Sequence, residues 1–290
     1  NDKINNVGGS PLMYSIGVGL ADSYSTITKF DNPEGALNNY YEGKRIGEIW
    51  GYVTDGFIQD EAEAQRMATI QGDISKTWKV GDIRYKDLDG VEGITSAKTI
   101  YNTGDQKVIG NTTPRYSFNI NASASWKGFD VRVFFEGIAK RDLWIDSPVF
   151  WGFPSNSNVW QSAVNDYHVD NSWSENNTNA YYPLPSYSGR SKQTQTKYLQ
   201  NGAYIRLKDL TISYTIPKAW ISTVGIEQLK VFASGQNLWV GTKLFKYLDP
   251  DIVSTRQSNS KDNKLVGNLT SDGKAYPFSR TFSFGINLTF

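Results

Sequence analysis

The last ten residues, Thr281-Phe-Ser-Phe-Gly-Ile-Asn-Leu-Thr-Phe290, alternate strictly between apolar side chains and polar or small ones. A repeat of two residues places successive side chains on opposite faces of a β-strand. The segment therefore predicts a strand with one polar face and one apolar face, the latter carrying Phe282, Phe284, Ile286, Leu288 and Phe290. Terminal strands of bacterial outer-membrane barrels have two such faces, because one side meets lipid and the other meets water. The alternative is a half-buried strand of a soluble sandwich.

A hairpin near the middle of the chain repeats this pattern. Residues 115–126 alternate between polar and apolar side chains. The chain then returns through Phe129, Val131, Val133 and Phe135, interleaved with Asp130, Arg132 and Glu136. Lys127-Gly128 lies between them, and glycine supplies the positive φ angle that a two-residue hairpin turn needs. These residues predict two antiparallel strands with the same pair of faces.

A further strand contains an irregularity. Ile205 and Leu207 share one parity, whereas Leu210 and the apolar residues after it have the opposite parity. One extra residue near Lys208-Asp209, a β-bulge, would return all of them to one face; a polar break in a shorter strand is the alternative. The complete set of predicted membrane strands is 12–24, 114–126, 129–138, 203–216, 229–239 and 280–290.

The composition of the 290-residue chain excludes several classes of protein. Its mean hydropathy is −0.48, and no segment approaches the ~18 consecutive apolar residues of a membrane-spanning helix. The net charge is +1 with dispersed Lys and Arg, so nothing indicates nucleic acid as a partner. There is no Cys and a single His, which excludes disulfides, thiolate nucleophiles and Cys- or His-cluster metal sites. An all-β fold of half-apolar strands fits these values.

Short and long connections alternate between the predicted strands. Lys127-Gly128 and 218–228 are short, whereas 25–113, 139–202 and 240–279 are long. Outer-membrane barrels have short periplasmic turns and long extracellular loops. We therefore expect the long connections on the extracellular side and the carboxy-terminus on the periplasmic side.

The number of strands indicates a partial barrel. Six strands are fewer than the roughly eight of the smallest barrels, and an open sheet edge cannot face lipid. The pattern therefore predicts the carboxy-terminal part of a larger antiparallel transmembrane barrel. The first long connection also contains a predicted helix at 60–70 and a strand-like stretch at 45–58.

Seven segments carry a family resemblance, and they follow one another in the family's order. They are Tyr41–Phe57, Gly81–Gly90, Gly104–Tyr116, Trp126–Asp130, Tyr204–Pro217, Ser234–Leu238 and Pro277–Phe290. Each segment is weakly diagnostic alone. Together they resemble the carboxy-terminal part of a SusC/RagA-type TonB-dependent transporter of the Bacteroidetes outer membrane.

The resemblance implies a 22-stranded barrel with an amino-terminal plug domain, of which residues 1–290 would be the carboxy-terminal portion without the plug. Such transporters import nutrients, usually glycans and sometimes peptides, with force transmitted by TonB. A SusD-like lipoprotein covers their extracellular face. The implied partners are that lipoprotein, the rest of the barrel and its plug, the TonB complex through the amino-terminal part, membrane lipid, and a glycan or peptide ligand. Transport breaks no bond, so no catalytic residues are expected.

Two other functions remain open from the residues alone. A secreted all-β carbohydrate-binding module would use the same aromatic side chains, as a soluble monomer whose strands are buried on one face. A β-sandwich glycosidase would need two catalytic carboxylates at a suitable spacing, and the scattered Asp and Glu residues indicate no such pair.

Candidate site residues fall into three groups. Aromatic side chains crowd the connection 139–202, where packing, contact with a protein lid and stacking on sugar rings all compete. The candidates for substrate or lid contact are Trp144, Trp151, Trp160, Tyr181 and Tyr182. Polar strand positions expected to face the lumen or the plug are Arg115, Asn119, Asn121, Arg132 and Glu136. Aromatic residues expected in the girdles at the membrane interfaces are Tyr14, Tyr116, Trp126 and Phe290.

An acidic turn is the candidate cation site. The family often carries an Asp-x-Asn-Gly-Asp-Gly run here, which resembles a calcium loop, whereas this chain has Asp87-Leu-Asp-Gly-Val-Glu-Gly93. Oxygen-rich turns bind Ca²⁺, but Asp87 and Asp89 match no full twelve-residue loop. The expectation is a plain acidic turn without metal, with Ca²⁺ as the alternative, and no other cofactor.

Overall fold

A computed structural model describes residues 2–7, 10–155, 159–222, 225–252 and 277–290. In these ranges the strands are β1 (Asp2–Val7), β2 (Ser10–Ala21), β3 (Glu48–Tyr52), β4 (Thr54–Phe57), β5 (Ile83–Tyr85), β6 (Gln106–Asn111), β7 (Arg115–Trp126), β8 (Phe129–Lys140), β9 (Asp142–Leu143), β10 (Gln200–Asn201), β11 (Tyr204–Thr215), β12 (Gln228–Thr242) and β13 (Thr281–Thr289). The helices are α1 (Glu61–Ile70), α2 (Pro148–Trp151), α3 (Asp166–Asn171) and α4 (Lys218–Ile221). None of the helices in these ranges has the length and apolar character needed to cross a membrane.

Seven strands form one large sheet in the order β1-β2-β7-β8-β11-β12-β13, and each neighbouring pair is antiparallel. All six predicted membrane strands are confirmed, and β1 is a seventh that the sequence did not predict. The apolar residues of this segment, Ile4 and Val7, are three positions apart in the sequence, which is not the two-residue repeat that predicts a strand. Within the described residues the edge strands β1 and β13 pair on one side only. The sheet is therefore open, as a partial barrel requires.

Strand register divides the sheet into an apolar face and a polar face. Ile212 lies opposite Val131 on one side and Ala233 on the other, and Ala233 lies opposite Phe284. Apolar side chains thus form a continuous row across four strands. Large side chains on this face are exposed: Val18 is 72% exposed, Ile212 45% and Phe284 82%. A soluble carbohydrate-binding module would bury one face of its sheet, so this exposure contradicts that alternative.

The predicted bulge is confirmed in β11. The register of β11 with β8 shifts between Leu207 and Asp209, which lie opposite the consecutive residues Phe135 and Phe134. Lys208 is therefore the extra residue, and Leu207 and Leu210 lie on the same face although their parity in the sequence differs.

The two ends of the sheet carry connections of different size. Lys127-Gly128 joins β7 to β8 with φ angles of 47° and 84°, as in a type I′ hairpin turn. The connection 216–227, which contains α4, joins β11 to β12 at the same end. We call this the turn end. The long connections leave from the opposite end.

The hydrophobic core lies in the long connections and not in the sheet. Residues 22–114, 141–155, 159–203 and 243–252 fold together into one unit, which we call the cap. Its core takes buried side chains from all three connections, such as Ile58, Phe150 and Phe245. The pairs β3–β6, β4–β5 and β9–β10 form small ladders within it.

Local sequence signals account for the first helix of the cap. The predicted helix at 60–70 is confirmed as α1, and the Asp60 carboxylate accepts the backbone N–H of Glu63 at 2.8 Å. This contact satisfies one of the free donors of the first turn. Glu63 also forms an ion pair with Arg84 at 2.5 Å, which links α1 to β5. The strand-like stretch at 45–58 is confirmed as β3 and β4.

Candidate functional site: the polar sheet face and the cap

The polar face of the sheet gathers most of the residues predicted to face a lumen or a plug. Asn119 lies opposite Glu136, and Glu136 lies opposite Arg206 on the next strand. Asn121 and Arg132 occupy the same face, nearer the turn end. Three adjacent strands therefore present amide and charged groups on one surface.

Arg115 is held at the junction of the sheet and the cap. Its guanidinium binds both carboxylate oxygens of Asp22, with an Nη2 to Oδ2 distance of 2.6 Å. The guanidinium also lies 4.9 Å from the ring centroid of Tyr24 and 5.1 Å from that of Tyr116. These contacts fix the position where the first long connection returns to the sheet.

Two glycines of β2 make room for the amides of the polar face. A Cβ atom at Gly17 would lie 2.5 Å from Oδ1 of Asn121, and one at Gly19 would lie 2.6 Å from Nδ2 of Asn119. The two asparagine side chains therefore extend across β2, and a larger residue at either glycine would displace them.

The cap reaches the polar face through residues 244–252, which we call the strap. Asp249 accepts a hydrogen bond from Nη2 of Arg206 at 2.5 Å. Asp251 accepts one from the Tyr204 hydroxyl at 2.6 Å. The Arg206 side chain is only 3% exposed, so the ion pair with Asp249 is buried. The sequence alone does not single out these residues, because the partners in each pair are separated by more than 40 residues of the chain.

A cavity of about 540 Å³ lies where the strap meets the polar face. Asn119, Glu136, Tyr204 and Asp251 contribute polar atoms to its lining. The Lys208 ammonium lies 2.9 Å from the Glu136 carboxylate and 3.8 Å from that of Asp251, so both negative charges have a cationic neighbour. Such a mixture of donors and acceptors suits hydrogen bonding to hydroxyl or peptide groups.

Three of the five aromatic candidates belong to the core of the cap. Trp144, Trp151 and Tyr182 are all buried. Trp151 packs against Trp144 and Tyr182 with ring centroids 5.9 and 6.1 Å apart, and its indole N–H donates to the Ile145 carbonyl at 3.0 Å. Stacking on a ligand needs an exposed ring face, so packing is the role that the geometry supports for these three residues.

The other two aromatic candidates have different surroundings. Tyr181 is half-buried, and its hydroxyl accepts a hydrogen bond from Gln200 at 3.0 Å. Trp160 is 93% exposed. Of the five candidates, Trp160 therefore has the side chain most accessible to a ligand or a lid.

Lys192 organises the connection that carries these aromatic residues, and sequence reasoning missed it. Its ammonium donates to the carbonyl oxygens of Phe153, Pro154 and Ser186 at 2.9, 3.0 and 2.7 Å. Burial lowers the pKa of Lys192 to about 8, against the opposing effect of the Asp146 carboxylate. One buried amine thus ties two distant parts of the connection together.

His168 has a structural role in the same region. Its Nδ1 accepts the backbone N–H of Asn165 at 3.3 Å, and its Nε2 lies 3.1 Å from the Phe150 carbonyl oxygen. This arrangement requires a proton on Nε2 and none on Nδ1. Burial lowers the pKa of His168, which agrees with a neutral ring that caps α3.

Asp82 has a structural role in the segment Gly81–Gly90, one of those that carry the family resemblance. Its carboxylate is fully buried and accepts from Arg190 Nε at 2.6 Å and from the Ser191 hydroxyl at 2.9 Å. Gly81 precedes it with a φ of 85°, and a Cβ there would lie 2.3 Å from the Trp173 ring. The segment therefore joins the first and second long connections.

The acidic turn gains a third carboxylate in the folded chain. Oxygen atoms of Asp87, Asp89 and Asp105 all lie within 4.8 Å of one another. Asp105 is buried and accepts the backbone N–H groups of Leu88 and Thr95, each at 2.7 Å. These bonds hold Asp105 in the turn; the predicted plain acidic turn and its alternative, Ca²⁺ binding, both stay predictions.

Comparisons with known proteins agree with this architecture. No protein-family model matches the chain. TonB-dependent receptor P3 of Formosa agariphila is 30% identical over 249 residues, which cover 86% of this chain and 22% of that protein. TonB-dependent receptor P26 of the same organism is 26% identical over 222 residues, which cover 73% of this chain and 20% of that protein. The chain therefore spans about a fifth of the length of these relatives.

Solved structures show the same fold. The RagAB peptide importer in the "open-open" state matches 99% of this chain and 27% of its own, with a TM-score of 0.62 and 18% identity. Its "closed-closed" state matches 99% of this chain and 28% of its own, with a TM-score of 0.62 and 20% identity. The predicted SusC/RagA-type resemblance is confirmed. The open sheet is part of the wall of a TonB-dependent outer-membrane barrel.

Proposed function

We propose that this chain forms part of the wall and the extracellular cap of a TonB-dependent transporter that imports oligosaccharides or peptides. The observation that carries the proposal is the division of one sheet into an exposed apolar face and a charged, amide-rich face, with a folded cap at one end. Lipid suits the first face and water suits the second. The relatives are named TonB-dependent receptors, and the RagAB importer of similar fold is named for peptides.

In this proposal the cap lies outside the cell and the turn end lies in the periplasm. Long connections of outer-membrane barrels are extracellular. The polar face would line the lumen or contact the plug, and Asn119, Asn121, Arg132 and Glu136 would supply that surface. Arg115 would brace the cap at its rim.

The cap is the proposed contact for a SusD-like lipoprotein. Trp160 fits such a contact because interfaces favour large aromatic side chains, and it is exposed on the cap. The TonB complex would act through parts of the transporter outside this chain. No step requires bond cleavage, so no catalytic residue is proposed.

Uptake by cells is the direct test. A strain that lacks the full-length transporter is complemented with the wild-type gene, with and without functional TonB, and is given fluorescent oligosaccharides and fluorescent peptides in parallel. We expect one of the two classes to enter only in cells with both the transporter and TonB. Entry of neither class, or entry that is independent of TonB, would contradict the proposal.

One variant and its matched control test the role of the cavity beneath the strap. Glu136→Gln removes one carboxylate from the cavity, and Asp31→Asn removes an exposed carboxylate elsewhere on the cap as the matched control. We expect Glu136→Gln to alter the concentration dependence of uptake at equal surface expression, and Asp31→Asn to leave it unchanged.

Co-purification tests the lipoprotein partner. We expect a lipoprotein to co-purify with the wild-type transporter, and a smaller amount of it to co-purify with Trp160→Ala.

A further inference from the structure

The apolar face carries a groove near the turn end. The groove has a volume of about 550 Å³ and lies along β11, β12 and β13. Ala233 is a small residue in its lining, between Ile212 and Phe284 on the neighbouring strands. Phe129 and Tyr214 border it toward the turn end, with ring centroids 4.5 Å apart. The wall is therefore indented here, between large side chains, on a face that suits lipid.

A second cavity adjoins this groove at the turn end. It has a volume of about 510 Å³, and its lining contains two cations, Lys127 and Lys218, and one carboxylate, Glu227. Gly128 in the lining of this cavity lies close to Tyr214 in the lining of the groove, since a Cβ at Gly128 would lie 3.1 Å from the Tyr214 ring. A chain-like molecule could therefore extend from the lysines into the groove.

Lys127 occupies a position that its residue type does not favour. The first central residue of a type I′ turn has a positive φ, and Asn, Asp or Gly is preferred there. Lys127 has a φ of 47°. Its ammonium lies 4.9 Å from the centroid of the Trp126 ring. A lysine held in a strained turn position, in a cavity close to an apolar groove, points to a use for its charge.

Aromatic side chains indicate that this end lies at the level of lipid headgroups. Trp126 is 37% exposed beside Lys127, and Trp220 is 71% exposed in α4 close to Lys218. Indole rings concentrate at the boundary between hydrocarbon and water. Cations at the same level are placed to meet phosphate, and the groove extends toward the hydrocarbon.

We propose that the turn end binds one glycerophospholipid molecule of the adjoining leaflet. Its headgroup phosphate contacts Lys127 and Lys218, and one acyl chain lies in the groove beside Ala233. Charge complementarity selects the phosphate, and the groove is continuous with the face that meets lipid. The site requires only that the apolar face lies in a membrane, so it does not depend on which nutrient is transported.

Native mass spectrometry of the purified full-length transporter tests the headgroup contact. The protein in detergent is incubated with palmitoyl-oleoyl phosphatidylglycerol, with the corresponding diacylglycerol, or with inorganic phosphate. We expect one phosphatidylglycerol molecule to be retained, and neither of the other probes. The double variant Lys127→Asn with Lys218→Gln should bind phosphatidylglycerol about 30-fold more weakly.

The substitutions are chosen so that loss of binding cannot be ascribed to misfolding. Asn suits the type I′ turn better than Lys does, so Lys127→Asn should leave the barrel at least as stable. Lys243→Gln, which removes a cation at the opposite end of β12, is the matched control and should bind as the wild type does.

A variant of the groove tests the acyl-chain contact separately. Ala233→Phe fills the groove and leaves both lysines in place, so it should also lose the retained phospholipid. Ala122→Phe adds the same ring to the apolar face outside the groove and should retain it. Equal retention by the wild type, the lysine double variant and Ala233→Phe would overturn the proposal in favour of non-specific annular lipid. Retention of inorganic phosphate without phospholipid would also overturn it.

Discussion

Replacing Arg206 by Met should release the strap from the sheet. The Arg206 side chain is 3% exposed and that of Asp249 is 10% exposed, and their ion pair at 2.5 Å joins the strap to β11. Removal of one member leaves the other charge buried without its partner, which costs about 3 kcal/mol or more. Lys208 is 3.8 Å from Asp251 and compensates only part of the loss. We therefore take the lower limit, which corresponds to an opening equilibrium about 100-fold more favourable.

Hydrogen exchange measures this opening directly. Peptides that cover residues 244–252 of the full-length transporter are followed by mass spectrometry in the wild type and in Arg206→Met. We expect exchange in these peptides to accelerate about 100-fold, while peptides from β7 and β8 exchange at unchanged rates. Exchange of the strap at the wild-type rate in Arg206→Met would show that the ion pair does not hold the strap on the sheet.

Two further variants separate the ion pair from other effects of the substitution. Arg206→Met combined with Asp249→Asn removes both charges, so it should recover part of the loss relative to Arg206→Met alone. Arg66→Met breaks an exposed ion pair with Glu63, where the Arg66 side chain is 64% exposed. This control should change exchange by less than about 1 kcal/mol in free energy.

Three other predictions follow from the cap and the apolar face. Phe150 is 1% exposed among four aromatic neighbours, so Phe150→Ala should destabilise the cap by about 3–5 kcal/mol. Limited proteolysis of the cap should therefore be faster in this variant. Unchanged proteolysis would show that the aromatic core does not stabilise the cap. Val18→Arg should destabilise the barrel by about 2–4 kcal/mol in urea titrations in phospholipid vesicles, and Ser15→Arg on the polar face of the same strand should have a much smaller effect. Burial lowers the pKa of Lys192 to about 8 from 10.5. Between these two pH values the unfolded chain binds more protons than the folded chain, so the free energy of unfolding of the cap should rise from pH 8 to pH 10.5. Lys192→Met should remove this rise. A wild-type cap with no such rise would show that the amine titrates normally.

The strands and their faces could be predicted from the sequence because the signal is local. The side chains of residues 281–290 alternate whatever the rest of the chain does, and an extra residue at Lys208 is visible as a change of parity. Strand β1 escaped prediction because the spacing of Ile4 and Val7 in the sequence lacks the two-residue repeat of a strand. Its place in the sheet depends on pairing with β2, which is a contact and not a local pattern.

The candidate site could be predicted only in part. Asn119, Asn121, Arg132 and Glu136 follow from alternation, and register brings them onto one surface with Arg206. The aromatic residues could not be sorted in this way, because nothing local distinguishes an exposed Trp160 from a buried Trp151. Their surroundings are set by segments far away in the chain.

The order of the residues is enough to predict strands with one apolar and one polar face, and the segments of the family resemblance indicate which kind of barrel they build. These properties depend on the order of neighbouring residues. Folding in three dimensions brings the long connections into one core, Asp105 to Asp87 and Asp89, and the strap to Arg206. Each of these features needs residues that are far apart in the sequence to meet, and packing across the cap sets their positions.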